Sequence, residues 1–167
     1  MGRLRREFYI SAVYHVYNRG NNRLKVFSDD EDKETFLGLL THYRERFGFH
    51  IYAVCLMDNH YHMIVETIQK HSISRIMHAL LLAYSIRYRV KHKYVGHLWQ
   101  SRFQSRVIER EQYFLECLEY IHQNPVKAKV VERACDYKYS SAAVYEAGAP
   151  AVAGCLTLDS FHETLYS

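Results

Sequence analysis

Two strand-like runs lie almost end to end in this chain, and the gap between them limits what it can fold into. FHIYAVCL (residues 49–56) and HYHMIVE (60–66) are rich in β-branched and aromatic residues, and only Met57, Asp58 and Asn59 separate them. A crossover needs a dozen residues or more, so the runs must pair as an antiparallel hairpin turning at Asp58-Asn59. A hairpin alone is marginal in water, and the flanking sequence supplies partners. AVYHVY (12–17) reads as an earlier strand, with Arg19-Gly20-Asn21-Asn22 as its turn. Ser28 and Glu31 fit a capping box, and Asp29 and Asp30 suit a helix's positive end. That helix presents Phe36, Leu39, Leu40 and Tyr43 and stops near Gly48.

After the hairpin, Ser72 caps a long helix on which Ile73, Ile76, Met77, Leu80, Leu81, Tyr84 and Tyr88 recur at helical spacing. Residues 99–108 read as a fourth strand with a basic alternate face. Glu111 opens a last helix with Phe114, Leu118 and Ile121 on one stripe, ended at Pro125. The order β-α-β-β-α-β predicts an α+β, ferredoxin-like (RRM-like) antiparallel sheet with helices on one face and the last helix near the other.

Residues 1–145 form one expected domain. AGAPAVAGC then opens a linker-like segment and short tail over 146–167. Hydrophobic residues at 49% and charged residues at 24% give the balance of a globular chain able to bury its own core. The four cysteines form no CxxC pair, which excludes the usual zinc spacings, and nothing in their placement suggests a secreted disulfide scaffold. No signal peptide is legible and no run reaches the roughly 18 apolar residues of a membrane span, so a cytoplasmic protein is expected.

Net charge is only +4, but its placement is uneven. Arg75, Arg87, Arg89, Lys91, Lys93, Arg102, Arg106 and Arg110 face only Glu109 across residues 75–110, and Arg3, Arg5 and Arg6 add to the amino terminus. Such clustering is the footprint of a polyanion partner, although a solvated basic face has the same composition.

Within the hairpin, alternation puts His60 and His62 on one sheet face, about 7 Å apart at their roots, with Tyr61 opposite. Two imidazoles so placed can converge on one ion, and they can equally be ordinary hydrogen-bonded histidines. On the last helix Tyr120 and Asn124 stand four apart, and Glu116 stands four before Tyr120. If that face meets the open side of the sheet, a phenol and an amide oxygen reach the histidines. A boundary tyrosine is the plainer reading of Tyr120 taken alone.

The ordered segments YHVYNRGNNR (14–23), FGFHIYAVCLMDNHYHMIVE (47–66), GHLWQSRFQSRVIE (96–109), YIHQNPVKAKVV (120–131) and DYKYSS (136–141) resemble the IS200-like transposase domain, in its branch of REP-associated tyrosine transposases. The likeness spans roughly residues 8–145. It implies an HUH-type single-strand DNA endonuclease and strand-transferase. His60 and His62 match the two motif histidines, Tyr120 the nucleophile, and Asn124 the amide that completes a site for one Mg²⁺ or Mn²⁺, where the wider family carries glutamine. Asp58 stands where proline is common, and Tyr139 where tryptophan is common. Neither change removes a reacting group.

Under that resemblance, Arg87, Lys91, Lys93, Arg102 and Arg106 follow the DNA backbone. Trp99 and Phe103 are candidates to stack unpaired bases, although Trp99 also suits the core. His15 and Glu116 are accessory candidates, His15 to steady a phosphate and Glu116 as base or ligand. Single-stranded or hairpin DNA is the implied partner. A self-contained monomer is favoured over a homodimer that exchanges its nucleophile helix. The competing reading is a non-catalytic nucleic-acid-binding or regulatory module that uses the sheet as a platform.

Overall fold

The computed structural model describes residues 11–68 and 71–160. The basic positions Arg3, Arg5 and Arg6 therefore lie outside the described residues. Strands β1 (Ala12–Arg19), β2 (Phe49–Met57), β3 (His60–Thr67) and β4 (Gln104–Val107) form one antiparallel sheet in the order β2-β3-β1-β4. Helices α1 (Asp30–Phe47) and α2 (Ile73–His92) pack against each other. They cover the face to which Val16, Tyr61 and Met63 point, as the Phe36–Tyr61 ring contact at 5.2 Å shows. Helix α3 (Glu111–Lys127) lies on the opposite face, where Phe114 meets Tyr52 edge-on at 5.8 Å. This is the ferredoxin-like arrangement the element order predicts.

The helix ends have chemical causes. Ser72 caps α2 as expected, its hydroxyl accepting from the Arg75 amide at 3.2 Å. At α1 the cap lies one residue later than expected. Asp29 accepts from the Asp32 amide at 2.9 Å, while the Asp32 carboxylate reaches back to the Ser28 amide at 2.9 Å. The reciprocal pair is thus Asp29 and Asp32 rather than Ser28 and Glu31. Gly48 ends α1 in the left-handed conformation at φ 61°. Pro125 sits inside α3 instead of ending it, and two further residues, Val126 and Lys127, complete the helix. The proline removes one amide near the C-terminal end, where few turns remain to be broken.

The fourth strand is shorter than the sequence suggests. Asn21 and Gln100 amides bond to the carbonyls of Leu98 and Arg19, and the Asn18 amide group takes the Ser101 carbonyl at 3.1 Å. These bonds hold residues 98–101 beside β1 in an irregular path, and regular pairing starts only at Gln104.

The run read as a linker is docked. The free edge of β2 is sealed by the later chain, with Leu56 amide to Tyr139 carbonyl, Ser141 amide to Val54 carbonyl, and Asp159 closing a two-way bond with Ile51. Val152 and Leu156 are fully buried there, and a short helix α4 (Ala142–Ala147) precedes them. Among the described residues, no helix is long and apolar enough to cross a membrane.

Candidate active site

The site is built where β3, β1 and α3 meet. Alternation along β3 turns His60 and His62 to the α3 side, as expected, and register places Arg19 beside His60 and Tyr17 beside His62. Helix α3 then delivers its polar face. The Tyr120 ring stands at 90° to His62 with centroids 5.3 Å apart, and Asn124 Oδ1 lies 3.4 Å from His60 Nε2. Both come from the same chain as the histidines. Tyr120 is 44% exposed, so its phenol is open to a substrate.

Each histidine also has an outer partner. His60 Nδ1 meets Asn59 Oδ1 at 2.6 Å, and His62 Nδ1 meets His15 Nε2 at 3.0 Å. His15 therefore backs His62 instead of standing free to steady a phosphate. Burial pushes His62 down to about 3, and the neighbouring His15 and His60 add to that. His15 is pushed down to about 4 by burial first and the Arg106 charge second. His60 is lowered too, chiefly by burial, against the opposing bond with Asn124. All three rings are neutral at pH 7, and a neutral imidazole keeps the lone pair a metal requires.

The amide of Asn124 is held by a bond from its Nδ2 to the Tyr120 carbonyl at 2.9 Å, which leaves Oδ1 aimed at His60. The shorter of the two His60 contacts is to Asn59, and with the ring proton on Nδ1 for that contact Nε2 is left as an acceptor. Nε2 and Asn124 Oδ1 are then two acceptors facing each other. Such a pair is favourable with a cation between them, so the donor set fits a divalent ion.

Clefts open on both sides of this cluster. One, of about 470 Å³, is lined by His60, His62, Arg19, Arg23 and Gln104. A second, of about 400 Å³, is lined by Tyr120, His15, Arg106, Tyr113 and Glu116. Tyr17 lines both. Glu116 thus shares a wall with Tyr120, while its carboxylate accepts from Gln112 at 3.1 Å. The Lys127 ammonium lies 5.2 Å from the centre of the Tyr120 ring, placing positive charge beside the phenol.

The other expected contact residues separate into two groups. Arg106 is exposed on the wall of the Tyr120 cleft, whereas Arg102 is exposed at a separate hollow beside α2, with Ser74, Arg75 and Leu81. Arg87 and Lys91 instead sit between α1 and α2 beside Glu31 and Asp32, on the far face of the sheet. Lys91 is engaged there by Asp29, Glu31 and Asp32 at 2.7–3.0 Å. Lys93 ends α2 in the left-handed conformation, also in that layer. Trp99 packs among Phe27, Tyr61 and Tyr84 with its indole N–H on Ser85, and Phe103 is 5% exposed. Their rings are used by the core, which corrects the expectation that they offer faces to bases.

Asp29, Asp32 and His92 bring ligand-type atoms within 4.8 Å of one another and are the described residues' candidate cluster of acidic and imidazole metal donors. That cluster is the α1 cap, and the Lys91 ammonium already bonds to both carboxylates. It lies across the sheet from Tyr120.

Tyr17, Asn59 and Lys127 were not singled out from the sequence. Tyr17 had a signal, since it is two residues from His15 and so shares its face. Lys127, two helical turns after Tyr120, had another.

The family model described as Transposase IS200 like matches residues 9–124. A Haemophilus influenzae protein assigned to the REP-associated tyrosine transposases is 27% identical over 152 residues, covering 84% of this chain and 85% of that protein. The solved structure of a REP-associated tyrosine transposase bound to a REP hairpin is similar at TM-score 0.70 and 16% identity, over 98% of this chain and 93% of that one. A Deinococcus radiodurans R1 crystal structure assigned as a transposase gives TM-score 0.51 at 20% identity, over 74% of this chain and 97% of that one. At these identities the two structures speak for the fold.

Proposed function

We propose a specific reaction for a chain that belongs to the IS200-like transposase family: cleavage and rejoining of single-stranded DNA through a covalent bond between Tyr120 and a 5′ phosphate. DNA breakage and joining is the chemistry of the family. The assignments to individual residues are our reading. What carries them is the meeting, within one chain, of the Tyr120 ring with His62 at 5.3 Å and of Asn124 Oδ1 with His60 Nε2 at 3.4 Å.

Tyr120 is the nucleophile. A phenol is a poor one until it loses its proton or meets a polarised target. In this reading the proton passes to Glu116, the carboxylate on the same cleft wall. The Tyr120 oxygen bonds to phosphorus, the bond to the 3′ oxygen breaks, and the strand's 5′ end stays on the protein. A second 3′ hydroxyl then reverses the step onto a new partner, so the phosphodiester is conserved through the exchange. His60, His62 and Asn124 would hold one Mg²⁺ or Mn²⁺, which supplies Lewis-acid polarisation of the scissile phosphate when bound. Arg19, Arg23 and Arg106 line the clefts, Arg102 is exposed on the segment leading into β4, and these four are our candidates to follow the phosphate backbone.

A hairpin-forming repeat with a flanking single strand is the proposed DNA, in keeping with the hairpin bound in the similar structure. A self-contained monomer and a cytoplasmic location complete the proposal. The competing view, a passive module using the sheet as a base-stacking platform, has less support because α3 occupies the face over β2 and β3.

The test uses a labelled oligonucleotide with a hairpin and a flanking single strand, incubated with Mn²⁺ or Mg²⁺. We expect a protein–DNA adduct that survives denaturation and is lost in Tyr120→Phe. Salt-sensitive binding with no adduct in the unsubstituted protein would support the passive module instead.

A further inference from the structure

We propose that Asn59 and His15 are positioning residues that lock His60 and His62 as Nδ1–H tautomers, so that both rings present Nε2 as the ligating atom. The inference deepens the metal-site reading above and rests on it. In each ring Nδ1 is already occupied, by Asn59 Oδ1 at 2.6 Å and by His15 Nε2 at 3.0 Å. A metal must therefore be met at Nε2. A neutral imidazole with a lone pair on Nε2 carries its proton on Nδ1, and that proton needs an acceptor. Asn59 Oδ1 and His15 Nε2 are the acceptors in place. Outer hydrogen bonds of this kind fix both tautomer and ring rotation in metal-binding histidines.

The two positioning groups are themselves anchored. Asn59 sits in the β2–β3 turn, where its carbonyl accepts from Gly20 at 2.8 Å and the preceding Asp58 carbonyl accepts from Phe27 at 2.9 Å. The Asp58 carboxylate is clamped by Lys33 at 2.9 Å, and that lysine is almost wholly buried. His15 is 7% exposed and fixed by its place in β1, between β3 and β4. Neither group needs to contact DNA to act. Each works through a histidine it touches.

The first measurement is long-range ¹H–¹⁵N correlation on ¹⁵N-histidine-labelled full-length protein, free of metal, at pH 7.5. The Nδ1–H pattern is expected for His60 and His62, and the Nε2–H pattern for either ring would overturn the inference. The second is calorimetric titration with Mn²⁺. Asn59→Leu and His15→Phe, which remove the acceptor, are expected to weaken Mn²⁺ binding by about 10- to 100-fold. Asn59→Asp, which keeps an acceptor oxygen, and His15→Gln, which replaces the acceptor nitrogen with an oxygen, are expected to recover most of it. Unchanged affinity in the Leu and Phe variants, or loss without recovery in Asp and Gln variants of normal thermal stability, would also overturn it. The two measurements fail separately. Nδ1–H rings in a protein that binds no Mn²⁺ would remove the metal-site reading rather than the tautomer assignment.

Discussion

His62 shows what a single position can and cannot disclose. Its face and its pairing with His60 follow from strand alternation alone. Its contact with His15 depends on the register between β1 and β3, which offsets the two residues diagonally and which sequence spacing does not specify. Asn59 was likewise unreadable, because nothing local says that its amide turns back onto the next residue's ring. Asn124 was legible from its place four residues after Tyr120, given the family resemblance. In the role proposed for it, as a direct ligand, it should matter at least as much as an outer partner. Asn124→Ala is expected to lose more than about tenfold in Mn²⁺ affinity by calorimetry, with little change in thermal stability. Gly20 makes the opposite kind of prediction. A Cβ there would meet the Leu24 carbonyl oxygen at 2.2 Å and Val26 at 2.7 Å, a collision with backbone that side-chain rotation cannot relieve. Gly20→Ala should therefore destabilise the fold by about 1–3 kcal/mol or more in urea unfolding, and loosen the turn carrying Asn59 with it.

The elements were easier to read than their limits. Strong apolar periodicity marked α1 and α2, and Gly48 and Ser72 marked an end and a start with a physical mechanism. The first cap moved from Ser28 to Asp29 because three consecutive candidate oxygens compete there, and Asp32 can answer Asp29. For Ser72→Ala we expect a loss of about 1 kcal/mol in urea unfolding, the usual worth of an N-cap bond. Helix α3 carries a second, hidden polar tie. His122, 4% exposed, meets Ser141 Oγ at 2.8 Å, and burial pushes its pKa down to about 4. Below the ordinary histidine value near 6.5, the unfolded chain takes a proton that the native chain refuses. The stability from this group is therefore complete above about pH 6.5 and lost as pH falls towards 4, at up to about 1.4 kcal/mol per pH unit. His62 and His15 act in the same direction. Urea titrations between pH 6.5 and 4 should show stability falling, with a shallower slope in His122→Gln, which can still bond to Ser141.

Across the whole molecule, the element order and the sheet's two-sidedness were legible because periodicity and short connections leave few topologies. The distribution of charge between the two faces was not. Arg87 and Lys91 look like neighbours of Arg106 in the sequence, yet the sheet stands between them and it. Nor was the docking of 148–160, since small residues resemble a linker until Val152 and Leu156 are seen buried against the body. The charge geometry has a measurable result. Arg106→Ala should reduce the dependence of log affinity on log salt for single-stranded DNA by about 0.7 for each phosphate that Arg106 neutralises, whereas Lys91→Ala should leave that slope unchanged. Fluorescence anisotropy across a salt series distinguishes the two. Finally, Tyr120 and Asn124 ride on one rod, a single helical turn apart, and the Asn124 amide is tied to the Tyr120 carbonyl. In the proposed mechanism the reacting arm therefore has no hinge of its own. To carry a captured strand end away from the imidazoles, the protein must lift the whole rod, and in doing so it withdraws the amide as well. Departure of the cargo and opening of the ion's cradle would then become one motion.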